Sequence, residues 1–198
     1  MNPAKILNFG LKLLVPVLGS VVFLFPDVIY LKLRGMEIKF FIFSLASLIF
    51  PIIWTIYAKR KQYPHIIDAM ITLPLVIDLA GNALGYYYYY WTWFDNITHF
   101  INPVIYGIVL YYLLSLIDQN KIVVWLAVIG IMAFGHVAWE LFEYVTPFAD
   151  KTIMNLSYED TLSDLFMGVV GQFVVSIFIF FDPLKFYKRE ENREKVAN

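Results

Sequence analysis

The chain of 198 residues is 60% hydrophobic and 19% aromatic, which is more apolar surface than a soluble domain of this length can bury. Its formal net charge of -1 and the lack of a basic face exclude the usual signature of nucleic-acid binding. Because cysteine is absent, disulfides, thiolate metal ligands and cysteine nucleophiles are excluded as well.

Six stretches are long and apolar enough to cross a bilayer, for which a helix needs about 20 residues. The predicted spans are 11–31, 40–57, 66–86, 95–116, 122–145 and 161–181. The first lacks a compact apolar region followed by a small-residue cleavage site, so we predict a retained span rather than a removed signal peptide. The sequence thus predicts an all-α, polytopic helix bundle in the cell membrane, with one transmembrane domain at 1–184 and a charged cytoplasmic tail at 185–198.

Basic residues favour one orientation of these spans, because lysine and arginine accumulate on the cytoplasmic side of membrane proteins. With a cytoplasmic N-terminus, most basic residues lie inside, and the outer segments hold Lys32, Arg34, Lys39 and Lys151. We therefore predict that both termini are cytoplasmic. The aromatic run 86–94 then lies at the outer interface as a belt of amphipathic rings, the alternative being a stacking surface for a substrate.

Acidic side chains and histidines gather in the last four predicted spans, where each costs roughly 2.5–3.5 kcal/mol on insertion scales and is normally functional. The candidates are Asp78 and Asn82 in the third span, Asp95 and His99 in the fourth, His136, Glu140 and Glu143 in the fifth, and Asp160 and Asp164 in the sixth. Within each span they are spaced by four or seven residues, so they share one helix face.

The positions of these residues along the spans predict a common depth. They come late in the outward-running third and fifth spans and early in the inward-running fourth and sixth spans. All four polar stripes are therefore expected in the outer half of the membrane. The first two spans offer nothing comparable and are predicted to serve as packing. The similar helix starts at 94–99 and 159–164 also suggest that spans three–four and five–six are parallel repeats.

Six carboxylates and two histidines in a low dielectric must share protons or bind cations. No lysine or arginine lies among these positions, so a divalent metal is the expected countercharge, and the ligand types suit Zn, Fe, Mn or Mg. The predicted metal ligands are Asp78, Asp95, His99, His136, Glu140, Glu143, Asp160 and Asp164. Structural roles stay open for Asp95 and Asp160, which occupy positions favoured by helix caps, and for His99 as a core histidine.

Three segments carry a resemblance to a known family: FDNITHF at 94–100, WELFEY at 139–144 and YEDTLSDL at 158–165. In this order they resemble the uncharacterised inner-membrane family typified by YjdF and, more distantly, the VanZ-like proteins, over roughly residues 66–182. The chain departs from the family pattern at the aromatic positions Phe94, Trp139 and Tyr144 but keeps the acids and His99. His136 lies outside the matched motifs. The resemblance implies a site and no particular reaction.

Three functions remain open at this point. The first is a metal-dependent membrane hydrolase or transferase acting on a lipid, an isoprenoid or another hydrophobic small molecule, with Glu143 or Glu140 as the catalytic base. A polyphosphate substrate is disfavoured because few basic residues lie near. The second is a cation or proton transporter or channel, which the apolar inner halves of the spans argue against. The third is a non-catalytic, metal-stabilised scaffold.

Overall fold

A computed structural model describes residues 2–25, 27–28, 36–57, 62–117, 120–145 and 158–181, without the side chains of 88, 91, 92 and 142–145. In these residues the chain forms helices and no strand. The helices are α1 (Pro3–Leu24), α2 (Met36–Tyr57), α3 (His65–Ala83), α4 (Tyr86–Tyr89), α5 (Trp91–Ser115), α6 (Lys121–Val145) and α7 (Tyr158–Phe180). All but α4 are long and apolar enough to cross a membrane, which confirms the predicted all-α bundle with six spans. The predicted tail at 185–198 lies outside the described residues.

The first helix begins well before the predicted residue 11. The Asn2 side chain accepts a hydrogen bond from the Ala4 backbone N–H at 2.9 Å, and Pro3 occupies the first helical turn, where its missing N–H costs nothing. These two signals fix the helix start at Pro3, and the helix ends at Leu24. The prediction was wrong here because it followed hydropathy and ignored the cap.

The aromatic run is helical along most of its length. Gly85 adopts a left-handed conformation with φ 72°, which ends α3 and turns the chain into the single turn α4 and then α5. Tyr86, Tyr89 and Trp93 are all exposed, as expected of rings in an interfacial belt.

The helices pack as two groups of three. In the first group α1 contacts α2 and α3, in the second α5, α6 and α7 contact one another, and α3 packs against α5 to join the groups. Each group has its own core, one formed by Leu11, Val15, Val22, Met36, Ala69, Val76 and Leu79, the other by Tyr111, Val124, Val128, Val175 and Ile179. Large apolar side chains cover the outer surface, which fits a bundle surrounded by lipid.

Two glycines allow α5 and α7 to approach closely. A Cβ atom on Gly171 would meet the backbone carbonyl of Phe100, and one on Gly107 would lie 2.8 Å from the side chain of Val175. Small residues at such points let membrane helices pack backbone to backbone. This contact brings the starts of the two helices together, and with them the acidic residues found there.

A buried ion pair joins the first three helices. Asp68 of α3 is fully buried; its carboxylate lies 3.0 Å from Lys12 Nζ and accepts hydrogen bonds from Asn8 Nδ2 at 2.8 Å and the Tyr63 hydroxyl at 2.6 Å. Lys12 also donates to the backbone carbonyl of Ser47 in α2. Burial and the neighbouring Asp68 raise the pKa of Tyr63, so its hydroxyl stays a donor. The prediction that the first two spans provide packing alone was therefore wrong.

Candidate functional site

His99 stands at the centre of the polar cluster, with a carboxylate facing each ring nitrogen. Its Nδ1 lies 3.2 Å from Glu140 Oε1 of α6. Its Nε2 lies 3.7 Å from Asp95 Oδ1, one turn earlier in α5, and 3.9 Å from Asp164 Oδ2 of α7. All four residues are at most 8% exposed. The i, i+4 spacing of Asp95 and His99 and the close packing of α5 on α7 account for this arrangement.

His136 enters the cluster from α6. Its ring centroid lies 5.6 Å from that of His99, with an angle of 69° between the ring planes. Its Nε2 lies 3.1 Å from the backbone carbonyl of Asp164, and because a carbonyl can only accept, the neutral ring carries its proton on Nε2. Nδ1 then keeps its lone pair, as a metal ligand requires. Gly168 makes the approach possible, since a Cβ there would overlap the His136 ring.

Two sets of three side chains have ligand atoms within 4.8 Å of one another: His99, His136 and Glu140 form one, and Asp95, His99 and Asp164 form the other. Two ligands each about 2.1 Å from one zinc ion are at most about 4.2 Å apart, so either set needs only a small contraction to hold an ion. His99 belongs to both sets. The structure thus brings together five of the eight residues predicted from the sequence, from three different helices.

Asp78 lies apart from these two sets and has a countercharge of its own. Both of its carboxylate oxygens lie 2.9 Å from Lys39 Nζ of α2, and the Tyr87 hydroxyl donates to Oδ1 at 3.2 Å. Tyr87 also lies 3.4 Å from Thr98 Oγ1, which links Asp78 to the start of α5. The expectation that no basic residue reaches these positions was wrong for Asp78, and its role as a metal ligand stays a prediction.

Asp160 and Glu143 complete the predicted set. Asp160 is buried in the first turn of α7 and belongs to neither set of potential ligands, so its position also suits a first-turn acid. Glu143 lies in α6, three residues after Glu140, and its side chain lies outside the described part of the structure. The roles predicted for both residues remain predictions.

A cavity of about 510 Å³ opens beside the cluster, between α3, α5 and α6. Its polar wall contains Asp78, Tyr87, Asp95, Thr98, His99, Asn102 and His136. The remaining wall is largely apolar and includes Ile71, Leu75, Val109, Leu110, Ile131 and Met132. The volume is in the range of pockets that bind one small ligand. Any group bound in it would lie directly against His99 and His136.

Residues outside the four polar stripes also contribute to this site, and they were not predicted from the sequence. Lys39 was assigned to a loop, although it lies in the first turn of α2 and a lysine at a helix end can reach along the bundle. Tyr87 was assigned to the aromatic belt, although its hydroxyl contacts Asp78. Ser163 donates to Asn96 Oδ1 at 2.9 Å and ties α7 to α5 next to the cluster. Ser163 occupies the place in its helix start that Thr98 occupies in the other, and Thr98 also lies in the site, so the similarity of the two helix starts was a signal that the sequence did offer.

Comparison with known proteins gives one family. Residues 14–183 match a family model described as "Predicted membrane protein (DUF2238)". Neither the curated proteins nor the solved structures contain a significant match to this chain. The match agrees with the resemblance to an uncharacterised membrane family, while the more distant likeness to VanZ-like proteins stays a prediction. Together with the six apolar helices, it shows a multi-pass membrane protein that belongs to the DUF2238 family.

Proposed function

We propose that this protein is a metal-dependent membrane enzyme, a hydrolase or transferase that acts on a lipid or isoprenoid. The observation that carries the proposal is the position of His99, whose two nitrogens face carboxylates from three helices while a second histidine lies beside it. Two imidazoles and one carboxylate, as in His99, His136 and Glu140, are the ligand set of many catalytic zinc sites and of non-haem iron sites.

The second set, Asp95, His99 and Asp164, can hold the ligands of the first set in place. If His99 binds the ion through Nδ1, Asp95 and Asp164 face its Nε2 and can hold the ring in place. Carboxylates in this position fix the ring orientation and increase the basicity of the ligand. The backbone carbonyl of Asp164 does the same for His136. The cluster therefore has both the ligands and the outer contacts that a metal centre needs.

A divalent ion here would polarise a substrate carbonyl or lower the pKa of a bound water. Glu140 lies within the ligand set, which leaves Glu143 as the predicted catalytic base. The cavity beside the cluster, with one polar and one apolar wall, suits a membrane-borne substrate. The charge pattern of the sequence assigns this reaction to the outer leaflet.

The transporter alternative is less well supported. The buried network of Asp68 and the cluster near Asp78 are ten residues apart on α3, about 15 Å along the helix axis. Val76 lies between Asp68 and Asp78 on α3 and is buried with Val15 and Leu79 in one apolar core. Among the described residues, the two acids of α3 therefore belong to separate networks, one with Lys12 and one with Lys39. A measurement of turnover distinguishes a metal-stabilised scaffold from an enzyme.

The metal centre is tested by elemental analysis of detergent-purified protein. We expect about one Zn, Fe or Mn ion per chain in the wild type, a loss of that ion in His99→Ala, and no loss in His65→Ala. His65 is a matched control because it lies in the Asp68 network, on the opposite part of α3 from Asp78. Equal metal content in wild type and His99→Ala, both with intact thermal transitions, would contradict the proposal.

Catalysis is tested with the metal-loaded protein and total lipid extracts, followed by mass spectrometry. An enzyme is expected to consume a lipid in the wild type and to lose that turnover, while keeping its metal, in Glu143→Gln. Bound metal that stabilises the fold without any turnover would indicate the scaffold. Proton or cation flux in liposomes that depends on Asp164 would indicate the transporter.

A further inference from the structure

We propose that the cavity takes a single-chain amphiphile from the side, between α3 and α6, with its polar end at His99 and its chain along α5. This inference rests on the proposed function for the chemistry at His99, but the binding of the chain can be tested separately. It specifies the substrate class of the site as lipids with one chain, such as a long-chain alcohol, a monoacyl ester or an isoprenoid alcohol.

The cavity wall changes from polar to apolar along α5. Asp95, Thr98, His99 and Asn102 line one end, and Val109 and Leu110 line the other. From Asp95 to Leu110 the helix advances about 22 Å, of which the part after Asn102 is about 12 Å. A ligand that matches this wall has a polar group at one end and an extended apolar chain at the other.

The walls from α3 and α6 have the same gradient. On α3 the lining passes from Asp78 to Leu75 and Ile71, and on α6 it passes from His136 to Met132 and Ile131. Consecutive spans run in opposite directions, so the apolar residues of α3 and α6 come earlier in the chain than the polar ones, whereas those of α5 come later. The three apolar ends therefore coincide and form one slot.

The slot is open towards the bilayer because α3 and α6 belong to different helix groups. Helix α3 packs on α1, α2 and α5, and α6 packs on α5 and α7, so α5 lies between them and the described residues of α3 and α6 form no extensive contact. The α6 side of the opening is exposed: Ile131 is 47% and Trp139 is 43% exposed, although both line the cavity. A chain in the surrounding lipid can pass between these two helices without crossing the core of either group.

The size of the cavity limits the occupant to one chain. About 510 Å³ is typical of a pocket for one small ligand, and the apolar part of its wall is formed by a few side chains from each of the three helices together with Phe43 of α2. A lipid with two chains would leave its second chain outside the cavity, where that chain adds nothing to the binding affinity. The polar end of the ligand is then held at His99 and His136.

The test uses a long-chain alcohol with a photoreactive diazirine near its far end, in nanodiscs of phosphatidylcholine and phosphatidylglycerol. Irradiation followed by peptide mapping should place the label on the slot residues of α3, α5 and α6. Ile131→Trp should lower the yield of labelled slot peptides about tenfold, which corresponds to about 1.4 kcal/mol. Leu126→Trp is the matched control, since Leu126 lies on the same helix, is exposed and does not line the cavity.

Label spread evenly over the exposed faces of α2 and α7, or equal slot labelling in the Ile131→Trp and Leu126→Trp proteins, would overturn the proposal. Equal labelling of the slot by a two-chain phosphatidylcholine that carries the same diazirine would overturn its restriction to one chain. Elemental analysis of the same untreated nanodisc samples separates the two proposals. Slot labelling of a protein that binds no metal supports the chain site and counts against the proposed enzyme. Bound metal without slot labelling supports the metal centre and counts against the chain site.

Discussion

At the scale of single residues, His99 and His136 have different partners for their ring nitrogens. His99 faces side-chain carboxylates on both sides, whereas His136 donates from Nε2 to a backbone carbonyl. A carbonyl cannot give up or take up a proton, so it fixes the tautomer of His136 more firmly than a carboxylate would fix that of His99. In a metal centre, His136 is thus the ligand whose orientation is set in advance, and His99 is the one with ionisable partners at both ring nitrogens.

Replacement of Gly168 by alanine tests this preset position. The added methyl group would overlap the His136 ring, so the ring must turn and lose its hydrogen bond to the Asp164 carbonyl. We expect metal affinity to fall about 10–100-fold, as for other outer contacts of metal ligands. The measurement is a competitive titration with a chelating metal indicator.

Gly135→Ala is the control for this change. Gly135 precedes His136 in α6, yet a Cβ there would meet nothing within 4 Å. Its metal affinity should equal that of the wild type. Equal losses in the two variants would show that the His136 position depends on the helix as a whole rather than on contact with Gly168.

At the scale of secondary structure elements, the pair α5 and α7 determines the geometry of the site. These helices supply Asp95, His99 and Asp164, and they are held together by Gly107, Gly171 and a hydrogen bond between Ser163 and Asn96. Without a hydrophobic driving force between helices in lipid, such close backbone packing provides much of the association energy. The separation of the two carboxylates across His99 therefore depends on contacts made one or more turns away.

Gly171→Ala should destabilise the bundle by about 1–3 kcal/mol, because the new methyl group meets backbone atoms of Phe100 that no side-chain rotation can move. Gly130→Ala, on the open face of α6, should be neutral or stabilise by about 0.5–1 kcal/mol. Unfolding by dodecyl sulfate in mixed micelles measures both. Equal stabilities would mean that α5 and α7 are not held by this contact.

At the scale of the whole molecule, two groups of three helices meet along α3 and α5. Each group has its own apolar core and its own polar cluster, with Asp68 in the first and His99 in the second. Tyr87 joins the pair of Asp78 and Lys39 in the first group to Thr98 of α5 in the second. The site is therefore assembled at the junction of two units that are each held by separate contacts.

The predicted orientation can be tested because the chain has no cysteine, so each introduced thiol is unique. Tyr89 and Ile117 are both well exposed and lie near opposite ends of the helix α5. In intact cells a membrane-impermeant maleimide should label Tyr89→Cys from outside and should label Ile117→Cys only after the cells are opened. The reversed pattern would assign the cluster around His99 to the cytoplasmic half of the membrane.

The spans and the shared helix face of Asp95 and His99 were predictable from the sequence because both follow from local patterns. Hydropathy located six helices, and the four-residue spacing of Asp95 and His99 located one polar face of α5. Contacts that depend on helix rotation were not predictable in this way: Lys39 is 39 residues from Asp78, and nothing local shows that its side chain turns towards α3. The close approach of Gly168 to His136 likewise depends on how deeply α6 and α7 interlock.

The ion pair between Lys12 and Asp68 also has a consequence for biosynthesis. Lys12 lies in the middle of the first span, and until its partner is synthesised it costs roughly 2.5–3.5 kcal/mol in the bilayer. Asp68 is synthesised only after α2 is complete, so α1 carries the full cost of Lys12 for as long as it is an independent helix in lipid. This cost is relieved only when α3 packs against α1 and brings Asp68 to Lys12. A chain that stops after α2 would keep Lys12 in the membrane with the Ser47 carbonyl as a partner but without a carboxylate to balance its charge.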